Sequence, residues 1–267
     1  MILKPRPFRK PNLGKLLARG LAGYWPGVMG TGRTAFDMSG NNNDGTFMDD
    51  VSWVGGRDGY AFFFPGASDD YIQLAEIGKL NFSSAFTLIL EIYPTGIADD
   101  RIFTRYYDGS NRSYDLIVDI ASTRLKFVYS TNGATTTTVY SDIDSLVTNK
   151  WQRIALTFQY PGNYNFYVNE IPVGSGATVG AIFNNNMIPK IGIAYNLLKD
   201  YHGLMSNIVA YTRSLSITEI AQWRNPLCLF ERDPIELWPT YEGEEEPPPV
   251  GNPGIMTTNT GYWGQTF

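Results

Sequence analysis

Cysteine and histidine are almost absent: Cys228 and His202 are the single residues of their kind in 267. One cysteine excludes an internal disulfide, and one cysteine with one histidine excludes a zinc cluster, which needs several such ligands. Long apolar runs are missing too. No stretch reaches the roughly 18 apolar residues of a membrane-spanning helix. The basic opening, residues 1–10, runs into Pro11 and Asn12 instead of an apolar leader segment. These absences predict folding in a cytoplasm, without sequence-encoded export and without membrane insertion. No glycine-rich phosphate loop leads from a strand into a helix. A Ser-His-Asp device would have to use His202, whose place beside Gly203 points first to loop packing.

What the chain does have is turn chemistry and β-forming residues. With 43% hydrophobic residues, 14% aromatics, 27 glycines and 16 prolines, it has the material for one large all-β domain with tails. Phe86–Tyr93 alternates with period two and stops at Pro94, and Tyr114–Ile120, Leu125–Tyr129, Trp151–Phe158 and Tyr164–Val168 repeat the pattern. Between them, Asp108-Gly109-Ser110-Asn111, Thr131-Asn132-Gly133 and Pro161-Gly162-Asn163 supply turns. The spacing predicts a two-sheet antiparallel jelly-roll sandwich with Trp25, Phe62, Phe64, Leu88, Leu90, Leu156, Phe158 and Ile208 in its core. One helix is expected, Ser216–Trp223. It opens with a capping box of Ser216 and Glu219, ends before Asn225-Pro226, and is placed as a lid on one end of the sandwich.

Charge divides the chain further. Lys4, Arg6, Arg9, Lys10, Lys15 and Arg19 face no acids in residues 1–19, a basic arm. Residues 20–224 form the sandwich, 225–241 a proline-punctuated extended arm, 242–253 an acidic Pro/Gly linker, and 254–267 an aromatic tail. In the arms, Phe8, Trp263 and Phe267 gain burial only against another chain, so they are the expected assembly contacts of a homo-oligomer, with a trimer one plausible form.

Several blocks resemble the laminin-G-like group of concanavalin A-type sandwiches. They are Gly20-Leu21-Ala22-Gly23-Tyr24-Trp25, the turn Asp37-Met38-Ser39-Gly40-Asn41, Trp53-Val54-Gly55-Gly56, Ala61–Gly66 with Asp69-Asp70-Tyr71-Ile72, and Gly203–Ser216 leading into Glu219-Ile220. The likeness spans about Gly20 to Trp223. Residues 37–46 read first as a self-braced turn, because Asp37 and Ser39 can bond their own backbone and glycine and asparagine tolerate positive φ. The resemblance also implies Ca²⁺ as the one candidate cofactor, held by Asp37, Asn42, Asp44 and a residue of the last block, here Asn207 in a position where the family usually carries an acid.

Glycosidases of this superfamily place acid and nucleophile on one strand as Glu-x-Asp-x-x-Glu, and no such run occurs; Glu91, Asp115 and Asp119 stand apart. The sequence therefore reads as a binder. Tyr106, Tyr107, Tyr160, Tyr164 and Tyr195, with Asn184, Asn185 and Asn186 as amide donors, are glycan-binding candidates, although tyrosine in strands also serves as a half-buried β residue. The organisation of basic arm, laminin-G-like body and terminal Asn-Pro-x-Cys-x-Phe-x-Arg-x-Pro-Ile-Glu-Leu arm looks like proteins of tailed-bacteriophage structural gene clusters. That resemblance implies a non-enzymatic virion protein, a capsid decoration or a tail adhesion appendage, made in the host cytoplasm. Its expected partners are other virion proteins and host-surface glycans, and nucleic acid is not among them. The alternative is a secreted or cell-surface carbohydrate-binding module.

Overall fold

The computed structural model describes residues 11–12, 15–66, 69–75, 78–96, 99–107, 109–193 and 200–225. In chain order the strands begin with β1 (Leu21–Trp25), β2 (Thr34–Ala35), β3 (Gly45–Phe47), β4 (Ser52–Gly56), β5 (Gly59–Phe64), β6 (Ile72–Leu74), β7 (Ala85–Pro94) and β8 (Asp99–Arg105). They continue with β9 (Tyr114–Asp119), β10 (Arg124–Tyr129), β11 (Thr137–Tyr140), β12 (Gln152–Gln159), β13 (Asn163–Val168), β14 (Ile171–Ala177), β15 (Lys190–Ile191) and β16 (Gly203–Tyr211). A helix, α1 (Ile217–Gln222), follows.

Two antiparallel sheets of eight strands form a concanavalin A-like jelly-roll sandwich. The first runs β14-β13-β12-β7-β16-β5-β4, with β1 also on β16; the second runs β11-β10-β9-β8-β15-β6-β3-β2. Alternation along each strand separates the faces. Phe86, Leu88, Leu90 and Ile92 of β7, Ile154, Leu156 and Phe158 of β12, and Leu116 and Val118 of β9 all point into one interior cluster. Aromatics dominate it: Phe86 stacks on Phe82 at 4.8 Å and on Phe158 at 5.5 Å. Each such ring contributes roughly 1.5–3 kcal/mol by leaving water. All eight residues expected in the core are there.

The helix carries its expected cap. Ser216 accepts from the Glu219 amide and Glu219 reaches back to the Ser216 amide. Its location differs from the expectation of an end lid. Ile220 and Trp223 pack with Leu17, Tyr24, Ile89, Val209 and Tyr211 in a second cluster, which lies on the outer face of the first sheet. The reason is parity: Ile89, Ala155, Val209 and Tyr211 are apolar yet point away from the interior, and only a covering element removes them from water. Below this cover, Arg153 joins Glu91 (3.0 Å) and Glu170 (2.8 Å), so the buried charges are paired. The second sheet has the opposite character on its outer face.

Candidate functional site

Seven antiparallel pairings bring one residue from each strand of the second sheet into a single transverse row. The row reads Thr138, Val128, Asp115, Thr104, Lys190, Gln73, Thr46 and Thr34. The flanking residues Phe127, Leu116, Phe103, Ile191 and Ile72 face the core, so pleating turns the row outward. All but Val128 are polar. Thr138 and Thr46 are exposed, whereas Asp115 and Thr104 at the middle are only 3% and 2% exposed. The row is thus deepest at its centre.

The chemistry concentrates there. Arg101 Nε lies 2.7 Å from Asp115 Oδ2, an ion pair without aligned hydrogen-bond geometry. Among the described residues, Asp115 Oδ1 and Arg101 Nη1 have no hydrogen-bond partner although both are buried. Burial pushes the Asp115 carboxyl up to about 6, against the downward pull of Arg101, Thr104 and Lys126. Buried polar atoms left unpaired cost roughly 1–3 kcal/mol each, which a hydroxyl-bearing ligand could recover by completing them. Aromatic surfaces flank the row: Arg124 lies 3.9 Å over the Tyr140 ring and Lys190 Nζ 4.4 Å over that of Tyr71. Burial lowers the Lys190 ammonium, and Asp69 opposes that shift.

Asp115 and Asp119 are the carboxylates β9 turns to this face. Burial raises Asp119, but hydrogen bonds from Arg124 and Ser122 outweigh it and hold this carboxyl below its ordinary value. Four residues along a strand separate the two by about 13 Å. A glycosidase pair needs roughly 5–5.5 Å for retention or 6.5–9.5 Å for inversion, so these two cannot act as one.

The described tyrosine and asparagine candidates gather at one end of the sandwich. Bonds from the Tyr160 amide to Ser84 O (2.6 Å), Ile182 to Ser83 O (2.9 Å), Phe183 to Ser130 O (2.7 Å) and Arg112 to Gly133 O (3.0 Å) tie their loops together. Tyr107 and Tyr160 stand out at 44% and 36% exposed, and Tyr106 is half-buried beside Tyr107. Tyr164 is half-buried, with its ring against Gly176 and edge-on to Phe166 at 5.8 Å. Asn185 is a correction: it is 3% exposed and its amide donates to the Arg105 and Asn111 carbonyls while its oxygen accepts from Met187 N. A buried amide with both donors and one of its two acceptor sites spent on backbone groups braces the loop and offers a sugar no donor. Asn184 accepts from Arg105 at 2.7 Å. Tyr195, Phe8, Trp263 and Phe267 lie outside the described residues.

The residues expected to hold calcium do not form one constellation. Asp37 Oδ1 accepts from the amides of Tyr24 (2.9 Å) and Ser39 (2.8 Å), and Oδ2 from Ser39 Oγ (2.8 Å) and the Asn43 amide (2.9 Å). Four donors fill a carboxylate's four lone-pair sites. Burial still leaves the Asp37 carboxyl raised despite those bonds. Asp44 accepts from the Asp37 amide at 2.7 Å, and Asn42 is an exposed residue at φ 61°. Asn207 sits elsewhere, at the far tip of Tyr24, whose hydroxyl it accepts at 3.3 Å while donating to Glu91 at 3.0 Å. A bulge in β16 between Ser206 and Val209, with Asn207 at φ 48°, turns it toward Glu91. His202 likewise packs a loop, 3.3 Å from Asp100 and against Gly66.

Sequence reasoning missed Arg101, Thr104, Lys126 and Lys190. Alternation does place Asp115 and Asp119 on one face, but which strands flank β9, and in what register, is not written locally.

Residues 65–221 match the model of the laminin-G type of the concanavalin A-like lectin/glucanases superfamily. No curated protein sequence matches the chain. Among solved structures it is similar to the binding domain of Paraclostridial Mosquitocidal Protein 1, with 19% identity and a TM-score of 0.65 over 78% of this chain and 52% of that one. The receptor binding domain of botulinum neurotoxin D is similar at 14% identity and a TM-score of 0.62, over 78% and 53% of the two chains. Botulinum neurotoxin type C, whose cell entry is dependent upon interaction with two ganglioside molecules, is similar at 14% identity and a TM-score of 0.57, over 77% and 51%. The chain spans about half the length of these binding domains, and the likeness is one of fold.

Proposed function

Because this chain belongs to the concanavalin A-like lectin/glucanases superfamily, we propose that it is a non-catalytic recognition module that binds a hydroxyl-rich ligand, a glycan, on the outer face of its second sheet. The observation that carries this reading is the in-register polar row with Asp115 Oδ1 unpartnered at its deepest point. Vicinal sugar hydroxyls donate and accept at once, which suits a face where a carboxylate, a guanidinium, a hydroxyl and two ammonium groups alternate across strands about 4.8 Å apart. The ganglioside dependence of one similar toxin supports a sugar as the class of ligand. The separation of about 13 Å between Asp115 and Asp119, the carboxylates β9 turns to that face, supports binding without hydrolysis there.

A glycan array followed by calorimetry on the best binder tests this. Arg101→Ala and Lys126→Ala should each weaken binding tenfold or more, while Tyr107→Ala and Tyr160→Ala leave it within about twofold. The reverse pattern would move the site to the end loops. The setting expected from the organisation of basic arm (1–19), laminin-G-like body and terminal arm (from 225), a bacteriophage virion, is a further proposal; residues 1–10 and 226–267 of those arms lie outside the described residues. Deleting 1–10 and 243–267, which spares Leu17 and Ala18 of the second cluster, and measuring mass and incorporation into particles tests it separately.

A further inference from the structure

Beside the polar row lies a second outward row, Tyr140, Lys126, Ile117 and Arg101. Ile117 is 1% exposed yet belongs to neither apolar cluster. Its cover therefore comes from long side chains on the face, and its cross-strand neighbours Lys126 and Arg101 have the apolar stems to supply it. A bulge in β8 between Arg101 and Phe103 sets Arg101 opposite Ile117, two residues along β9 from Asp115. Bulges beside a site re-aim a side chain, and here the guanidinium meets the carboxylate. Each keeps one buried atom over: among the described residues, Arg101 Nη1 is a donor and Asp115 Oδ1 an acceptor without a hydrogen-bond partner.

Those two atoms define what completes them. A carboxylate oxygen only accepts and a guanidinium only donates, so the ligand must bring a donor and an acceptor close together. Two adjacent hydroxyls do so, one donating to Asp115 and the other accepting from Arg101. An acidic sugar fits less well, because positive groups of this face are already matched. Arg101 lies 2.7 Å from Asp115, Arg124 lies 2.9 Å from Asp119, Lys190 stands near Asp69, and the charge of Lys126 acts on Asp115. A ligand carboxylate would instead approach the open oxygen of Asp115, where like charge disfavours it.

We propose that Asp115 Oδ1 and Arg101 Nη1 act together as acceptor and donor for one vicinal diol of an uncharged sugar, reached as the long side chains over them rotate. The inference rests on the reading that this face binds a glycan, and it names the class of sugar. Asp115 receives the diol as a carboxylate, so protonation opposes capture. Facing it are Arg101 and Thr104 from β8 and Lys126 from β10, with Lys190 of β15 paired to Thr104. Those neighbours are basic or neutral, which leaves Asp115 as the group of the site that titrates in mild acid.

The test is an NMR titration of the full chain with the methyl glycosides of mannose, galactose and glucose, each beside its uronate, in which a carboxylate replaces the terminal hydroxymethyl group. At pH 7 at least one neutral glycoside should bind with a dissociation constant of about 1–10 mM, ordinary for a ligand of this size, and shift the amides of β8 and β9. Its uronate and its 3-deoxy analogue, which keeps no vicinal pair of hydroxyls, should each bind about fivefold more weakly or worse. Affinity should fall about tenfold from pH 7 to pH 5, as a carboxyl titrating at about 6 requires. Asp115→Asn should weaken binding about tenfold at pH 7 and flatten the pH profile, whereas Arg101→Gln should weaken it as much and keep a pH dependence. Asp119→Asn, whose oxygens already accept from Ser122 N and Arg124 Nε, should leave affinity within about twofold. Shifts on β8 and β9 with a flat pH profile, or with uronates bound as tightly as their parents, would overturn the proposal and leave the glycan face standing. Shifts confined to the loops of Tyr107 and Tyr160 would overturn both. No binding by any of these glycosides would overturn the proposal, with the glycan array deciding the face.

Discussion

Arg105 and Asn185 hold each other by reciprocal bonds: the guanidinium donates to the Asn185 carbonyl, and the Asn185 amide donates back to the Arg105 carbonyl at 3.1 Å. The guanidinium also reaches Met187 O (2.9 Å) and Asn184 Oδ1 (2.7 Å), so one side chain at the end of β8 fastens the whole 184–187 segment. Arg105→Ala should destabilise the protein by about 3 kcal/mol, the cost of stranding several buried acceptors at once. Arg105→Lys should recover little, because a point ammonium cannot serve that fork of acceptors. Urea denaturation midpoints check both.

Arg153 plays the corresponding part beneath the helix. It bridges Glu91 and Glu170, and Glu170 is held below its ordinary carboxyl value because Arg224 and Arg153 together outweigh its burial. Arg153→Ala leaves Glu91, 2% exposed, with a hydrogen bond from the Asn207 amide but without its guanidinium partner, and should cost about 3–5 kcal/mol. Arg224→Ala, at the exposed rim of the same network, should cost far less, because solvent screens that pair. A pair of thermal melts distinguishes the two.

The Asp37 turn carries a stability prediction independent of metal. Removing a carboxylate that accepts four bonds should cost about 3 kcal/mol in Asp37→Ala. The loss should be equal in calcium and in chelator, read as the same drop in urea midpoint under both conditions.

Asp115 predicts a pH dependence. Its folded-state value is raised from 3.8 to about 6, so between those limits the folded state keeps a proton that the unfolded chain has lost. Stability from this group is therefore fully present below pH 4, falls as pH rises toward 6, and stays flat above. Two units correspond to about 3 kcal/mol. Asp200 shifts in the same direction, whereas Asp119, Glu170 and Glu219 shift oppositely, so the readout is the difference between Asp115→Asn and the unaltered protein. The pH 4–6 slope should be more positive in the variant, and equal slopes would show that Asp115 titrates normally.

The sequence by itself determined the local elements. Alternation over Phe86–Tyr93 became β7, Ser216 and Glu219 capped a helix from Ile217, and Asp37 and Ser39 braced their own turn. Each of these rests on interactions within a few residues, or on burial of one strand face, and both are written in the order of residues. Tertiary structure alone decided what those elements do together. Asn185 became a brace because Arg105, 80 residues earlier, arrives beside it. Asp115 became the floor of a polar row because seven pairings fall in register. Lys190 joined that row because β15 lies between β8 and β6. Strand order and register come from long-range packing of two sheets, where the total burial chooses among pairings that every strand would accept alone.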